Sequence, residues 1–588
     1  MNFLKSYFAA LLGTFSALGL LFVFFLLLIS TVGALFSGET ETSSITEQSV
    51  LDLNLNIPLT ERNPTTDPFQ EVLGLSEEIL GLPQLIRSIQ LAAMDDNVEG
   101  IRLKAEFVNA GWAQTHSVRK ALETFKASGK FIIAYGDFYT QKSYFLASVA
   151  DSIFLNPMGN LELKGLASEV LYYKNFQDKY GVRMEVVREG NFKSAVEPFL
   201  EEDMSSENEL QIRSLLNSLW GTLRHKMAND RNLSEKTIDL LAENLSATLP
   251  EEALNNHLID GVNYENEVEQ KIKHYLGLAS EEKINWVSPQ KMARTKAAYD
   301  SSIKDRIAVI YANGTILYGE GTPNIIAQGK FVDAIEKATQ DDWIKAIVLR
   351  INSPGGNALT SEIIWEALKR AKAKKPLVVS MGNVAASGGY YLAAPAHKIF
   401  ADPLTITGSI GVFATLPNIH ELSENMGVNA AQVKTHSNAL GYSLFEPLSD
   451  GFKSFLIKNI RKTYTLFKDR VAQGRSLSLE QVETLAQGRV WTGKEAVENG
   501  LIDGLGGLQT AIKEAAAMAN IEEYNQMAYP QWDEDLESIF NQMIPSLENQ
   551  LFVKIASFLG WEKTIEAIPQ KHLHHHLKTE LPFSLKID

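Results

Sequence analysis

The chain has no cysteine. That excludes a thiolate nucleophile, disulfide bonds and cysteine-ligated zinc. Any covalent chemistry must then fall to a serine, threonine, lysine or carboxylate. The compartment stays open, because a protein in an oxidising space can do without cysteines. Basic charge is also short. Against 71 Asp and Glu there are 55 Lys and Arg, a formal charge of −16 over 588 residues. With no basic stripe to neutralise phosphates, nucleic acid is not expected as a partner, and the acidity acts mainly on solubility. Cofactor signals are missing too. Gly488-Arg489-Val490-Trp491-Thr492-Gly493-Lys494-Glu495 approaches a phosphate-binding loop but has glutamate where the magnesium-binding hydroxyl belongs. Thr492 and Glu495 are instead spaced as a capping box at a helix start. His572 and His574 to His576 sit in a polar C-terminal tail with no framing carboxylate, so neither a metal nor a cofactor is expected.

What the chain does have begins with an apolar run. No charged residue occurs from Ser6 to Gly38. That is longer than the roughly 7–15 apolar residues of a cleaved leader and sufficient for a bilayer span. Residues 1–38 therefore read as a single membrane anchor. Lys5 before the span, with Glu39 and Glu41 after it, favours a cytoplasmic N-terminus and the bulk of the chain outside. Cleavage near Val32-Gly33-Ala34 is the alternative.

After a polar Thr/Ser/Glu linker, Val50 to Ile57 alternates as a half-buried strand should. From there the chain repeats itself. Asp95 to Leu103 matches Asp341 to Leu349, and Tyr144-Phe145-Leu146-Ala147 matches Tyr390-Tyr391-Leu392-Ala393. Leu258-Ile259-Asp260-Gly261 matches Leu501-Ile502-Asp503-Gly504, three residues out of step. So long a period means two copies of one domain rather than a solenoid. In each, β-rich runs (Ile307–Tyr311, Ala346–Ile351, Leu377–Met381) alternate with helical patterns such as Glu362–Ala373, which predicts an α/β fold with mostly parallel strands. Longer helices are expected near Glu207–Asn229 and Gly451–Gln473, and the Lys-rich stretch Glu281–Arg306 reads as the joint. The expected domains are 48–290 and 300–525, followed by a tail, 526–588.

The second copy carries three glycine-flanked sites at predicted strand ends: Ser353-Pro354-Gly355-Gly356, Ala386-Ser387-Gly388-Gly389 and Thr407-Gly408-Ser409-Ile410-Gly411. Such turns expose a hydroxyl and let backbone N–H groups approach a substrate, as acyl transfer requires. Each alone is an ordinary turn; the three together point to a site. A histidine-based triad using His397, His420 or His436 has no motif to place it. The first copy has Gln141 opposite Ser387 and no counterpart of Gly355 and Gly356. It carries Phe192-Lys193-Ser194-Ala195-Val196-Glu197-Pro198, whereas the second copy keeps only Glu446-Pro447 and has no such lysine. Each copy has what the other lacks. Taken by itself, Lys193 is a surface lysine unless burial lowers its pKa from about 10.4.

With these motifs the chain resembles the signal peptide peptidase A (protease IV) family in its long two-domain form, over essentially residues 1 to 525. The resemblance implies two tandem Clp protease/crotonase-like domains after an N-terminal transmembrane helix. It implies Ser387 as nucleophile, Lys193 as general base, Ser409 as the residue orienting that lysine, and the backbone N–H groups of Gly355, Gly356 and Gly388 as an oxyanion hole. It further implies degradation of cleaved signal peptides and other hydrophobic peptides, a homotetramer, and a bacterial inner-membrane protein with its catalytic domains on the periplasmic side. Phe192 departs from the family's tyrosine. Two rival readings stay open on the residues: a crotonase-type enzyme acting on a coenzyme A thioester, and a non-catalytic membrane scaffold.

Overall fold

The computed structural model describes residues 45–63, 80–296 and 299–532, with scattered positions between 13 and 24. Apart from those positions, the expected anchor and the tail beyond residue 532 lie outside the described residues. Among the described residues, no helix is long and apolar enough to cross a membrane.

Two α/β units follow one another. The first is built on β1 (Ser49–Asn54), β2 (Val98–Lys104), β3 (Phe131–Gly136) and β4 (Ser152–Leu155). A protruding β5 (Arg183–Glu189) follows, then the short edge strands β6 (Gly261–Val262) and β7 (Asn285–Val287). The sheet order is β6-β4-β3-β2-β1-β7, with parallel pairing throughout. The second unit has β8 (Arg306–Asn313), β9 (Ile344–Ser353), β10 (Leu377–Ala386), β11 (Lys398–Ala401), β12 (Ile406–Gly408), β13 (Val412–Asn418), β14 (Val490–Thr492), β15 (Gly504–Leu505) and β16 (Asn525–Tyr529). Its order β15-β11-β10-β9-β8-β16 reproduces that of the first sheet. The strands β12 and β14 are added where β10 runs on past β11.

The repeated sequence words correspond to repeated bonds. The hydroxyls of Tyr144 and Tyr390, both fully buried, donate to Leu258 O and Leu501 O at 2.9 and 2.8 Å. Asp260 and Asp503 accept from the second residues of β4 and β11, Ile153 N and Ile399 N, both at 2.8 Å. Each aspartate is held by an arginine, Arg231 and Arg475, near the C-terminal end of the predicted long helices, which run over Ser206–Asp230 and Asp450–Arg475.

Three sequence expectations change. The strand starting at Val50 is covered on both faces rather than one. Leu51 and Leu53 enter one core, Val50 packs with Val268 and Ile272 in another, and Asp52 on that side is answered by Arg102 at 2.6 Å. Helices on both faces of a parallel sheet produce this, and alternation alone does not reveal it. The stretch Glu281–Arg306 is not merely a joint. Its β7 pairs with β1, and a helix, Pro289–Arg294, buries Met292 in the first core. Finally, β16 carries the second sheet to Tyr529, past the expected boundary at 525.

Candidate active site

Two features bring the halves of the site together. The first is a ribbon with one strand from each unit: β5 pairs antiparallel with β13, from Val412 opposite Glu189 to Asn418 opposite Arg183. Lys193 follows β5 by four residues, and Ser409 precedes β13 by three. The second is a set of buried polar contacts between the units. Arg350 Nε donates to Glu61 Oε2 at 2.8 Å, with both residues almost fully buried, and His116 Nδ1 lies 2.7 Å from Asp402 Oδ2.

Ser387 sits where β10 ends and α1 (Gly388–Ala393) begins. Its φ of 53° and ψ of −119° form a strained strand-to-helix elbow of the kind that presents a nucleophilic hydroxyl. The turn is held by Ser387 N–H donating to Gly408 O at 2.8 Å and by Tyr391 N–H donating to Ser387 O at 2.9 Å. Beside it, Gly355 adopts a φ of +102°, and a Cβ there would lie 2.8 Å from Ser387 Cβ. A Cβ on Gly356 would collide with Ile316 O. Gly355 N–H donates to Ser353 Oγ at 3.2 Å, whereas no described protein group accepts from the N–H groups of Gly356 and Gly388.

Lys193 is 4% exposed. Its Nζ donates to Ser409 Oγ at 2.8 Å, Ser409 O at 3.0 Å and Ser387 Oγ at 3.2 Å. It makes no ion pair among the described residues. Burial without a counter-charge disfavours the ammonium and pushes the amine down to about 7. The close fit comes from Gly488, where a Cβ would approach Lys193 Cα to 2.6 Å. Ser409, at φ 52°, is fixed by its N–H donating to Arg489 O at 2.7 Å.

The structure thus gathers Ser387, Lys193, Ser409, Gly355, Gly356 and Gly388 into one place. The histidines lie elsewhere: His397 Nδ1 accepts from Leu377 N, His420 bonds to Phe445 O, and His436 bonds to Thr435. Thr492 and Glu495 form the capping box their spacing predicts. Sequence reasoning passed over Gly488, seen only as part of a failed phosphate loop, and Gln211, on which no motif bears. In the first unit, the place of Ser387 is filled by the buried Gln141. Its amide binds the chain at Lys164 and Gly165, accepting from their N–H groups at 3.0 and 2.9 Å. A side chain that closes the turn has replaced one that would react.

Known proteins resemble this chain in both units. The model of peptidase family S49 matches residues 124–279 and 369–522, one stretch in each unit, and that of Clp protease matches 299–404. Protease 4 of Salmonella typhi is 33% identical over 561 residues, covering 92% of this chain and 89% of its own length. Protease 4 of Haemophilus influenzae is 32% identical over 585 residues, with 95% and 93% covered. The chloroplastic serine protease SPPA of Arabidopsis thaliana is 33% identical over 451 residues, with 75% and 66% covered. The class is therefore that of a serine protease with tandem, Clp protease-like α/β units. The chain belongs to peptidase family S49. The resemblance to signal peptide peptidase A is upheld over nearly the whole length, and the thioester and scaffold readings give way to it.

Proposed function

We propose that the chain is a membrane-anchored serine endopeptidase working with a Ser387/Lys193 dyad. The observation that carries this is the buried Lys193 amine, 3.2 Å from Ser387 Oγ and with no counter-charge among the described residues. As the free base it keeps N–H groups for Ser409 and offers its lone pair to the Ser387 hydroxyl. Ser387 Oγ attacks the scissile carbonyl of an extended peptide, and its proton passes to Lys193. The N–H groups of Gly356 and Gly388, with Gly355 shaping their loop, stabilise the tetrahedral oxyanion; one such donor is worth about 3 kcal/mol of barrier. Collapse breaks the C–N bond as Lys193 protonates the leaving amine. Water then hydrolyses the Ser387 ester, with Lys193 again taking the proton.

The substrates are peptides, in our reading the cleaved signal peptides left in the bacterial inner membrane and other hydrophobic peptides. Residues 1–38 would anchor a homotetramer with its catalytic units on the periplasmic side. The charge-free run from Ser6 to Gly38 and the flanking Lys5 and Glu39 support this orientation. Labelling by a serine-directed covalent inhibitor tests the dyad. Wild type should label at Ser387, while Ser387→Ala and Lys193→Ala should neither label nor hydrolyse peptide; undiminished cleavage by purified Lys193→Ala overturns it. A chain lacking residues 1–38 should leave the membrane fraction, and its retention there would count against the anchor.

A further inference from the structure

The segment that carries Lys193 is gripped by one face of a neighbouring helix, α2 in the residue range Ser206–Asp230. Glu197, fully buried four residues after the lysine, accepts from Ser205 N–H at 2.9 Å, Ser205 Oγ at 2.7 Å and Asn208 Nδ2 at 3.2 Å. One turn further on lies Gln211, 4% exposed. Its Nε2 faces Ser194 Oγ at 2.5 Å, Phe192 O at 3.1 Å and Asn208 Oδ1 at 3.1 Å. Phe192 and Ser194 are the two neighbours of Lys193. On its other side, Gln211 Oε1 accepts from Val490 N–H at 3.4 Å. Three acceptors around Nε2 and a donor at Oε1 fix which way the amide points.

Val490 belongs to the second unit. It opens β14 and pairs with Gly408, whose carbonyl holds Ser387 N–H. The adjacent Arg489 O holds Ser409 N–H. A single side chain therefore spans from both flanks of Lys193 to the strand that borders Ser387 and Ser409. Lysine has a long, flexible stem, and among the described residues no carboxylate directs Lys193. Of the charged groups on the surrounding elements, Glu189 pairs with Arg461, Glu197 bonds to Tyr172 and Ser205, Glu495 bonds to Ser214 and Thr492, and Arg489 lies against the Phe192 and Trp491 rings, while the buried Arg188 Nη1 and Arg489 Nε have no hydrogen-bond partner among the described residues. Its place depends on the anchoring of its backbone and on the exclusion of water around it.

We infer that Gln211 is a positioning residue for the dyad, holding Lys193 at Ser387 by clamping Phe192 and Ser194 against β14. This rests on the Ser387/Lys193 reading. Gln211→Met keeps the length and removes the bonds. Gln211→Glu puts an acceptor where a donor is needed and adds negative charge beside the lysine segment. Either lets the segment loosen and water reach the amine, so the amine regains protons at higher pH. The experiment is the pH dependence of kcat/KM on a peptide substrate, normalised to active sites titrated with a serine-directed covalent inhibitor. Both variants should lose tenfold or more in turnover per titrated site, with the acid limb of the profile moved upward by about a unit or more. A purely structural role would lower the number of titratable sites and leave the limb in place. An unmoved limb in a folded variant overturns the inference, whatever the yield. If melting curves show that neither variant folds, Ser194→Ala, which deletes only one acceptor, decides by the same limb. Failure of the dyad reading looks different: wild type would then lack the limb, or Lys193→Ala would retain hydrolysis.

Discussion

Ser409 Oγ lies 2.8 Å from Lys193 Nζ, nearer than the 3.2 Å that separates this nitrogen from Ser387 Oγ. Ser409 O adds a second contact at 3.0 Å. Ser409 is thus the tighter partner of the lysine, and it comes from the same glycine-flanked turn that receives Ser387 N–H. Ser409→Ala removes the hydroxyl and spares the carbonyl. Turnover should fall by about ten- to a hundredfold, less than the roughly 10²–10⁴-fold of a lost general base because Lys193 itself remains, with KM little changed. Steady-state kinetics per titrated site checks this, and an unaffected kcat would contradict the role.

Hydrolysis should rise as the pH climbs through about 7, because burial holds the Lys193 amine near that value and only the free base can accept the Ser387 proton. Lys193→Arg should be inactive throughout, since guanidinium stays protonated. A flat profile from pH 6 to 9 would count against the lysine.

The same burial makes stability depend on pH. Unfolded Lys193 would titrate near 10.4 and the folded residue near 7, so between those values the unfolded chain binds the extra proton. Stability therefore rises with pH across this window, and below it the buried amine opposes folding. Lys193→Met removes the dependence. At pH 7 and below the variant should be the more stable by on the order of 5 kcal/mol at most, at about 1.4 kcal/mol per unit, and the difference should shrink as the pH approaches 10. Denaturant melts of both proteins at several pH values measure it.

Glu61 and Arg350 come from different units and are 5% and 3% exposed. Arg350 also donates to Ser380 Oγ and Met381 O, which leaves Glu61 as its only carboxylate partner among the described residues. Glu61→Ala strands a buried guanidinium and should destabilise by roughly 3–5 kcal/mol, as removal of one member of a buried pair does. Urea titration reports this, and a midpoint within error of wild type would refute the pair's importance.

Much of this arrangement was legible before the structure. The apolar runs locate β8, β9 and β10, the glycine turns mark the ends of β9, β10 and β12, and the repeat comparison singles out Lys193 by its absence from the second copy. What escaped depends on pairing across long separations. Nothing local in Arg183–Glu189 foretells that it will lie against Val412–Asn418. Glu61 sits in a polar stretch and reads as exposed until Arg350 is found opposite it. Gln211 resembles any polar residue on a long helix, because its importance comes from what lies beside it. The elbow at Ser387 is the reverse case: the sequence suggested a turn there, but the positive φ of a non-glycine residue was visible only in three dimensions.

The ribbon of β5 and β13 behaves as a ruler. Adjacent residues along a strand are about 3.4 Å apart, so a slip of one pairing step displaces one strand against the other by about the whole Lys193–Ser387 separation. Substitutions along it leave this register intact, but an inserted or deleted residue between Arg183 and Lys193, or between Ser409 and Asn418, would put the two halves out of phase. The two units are thereby tied to each other in length on either side of this seam.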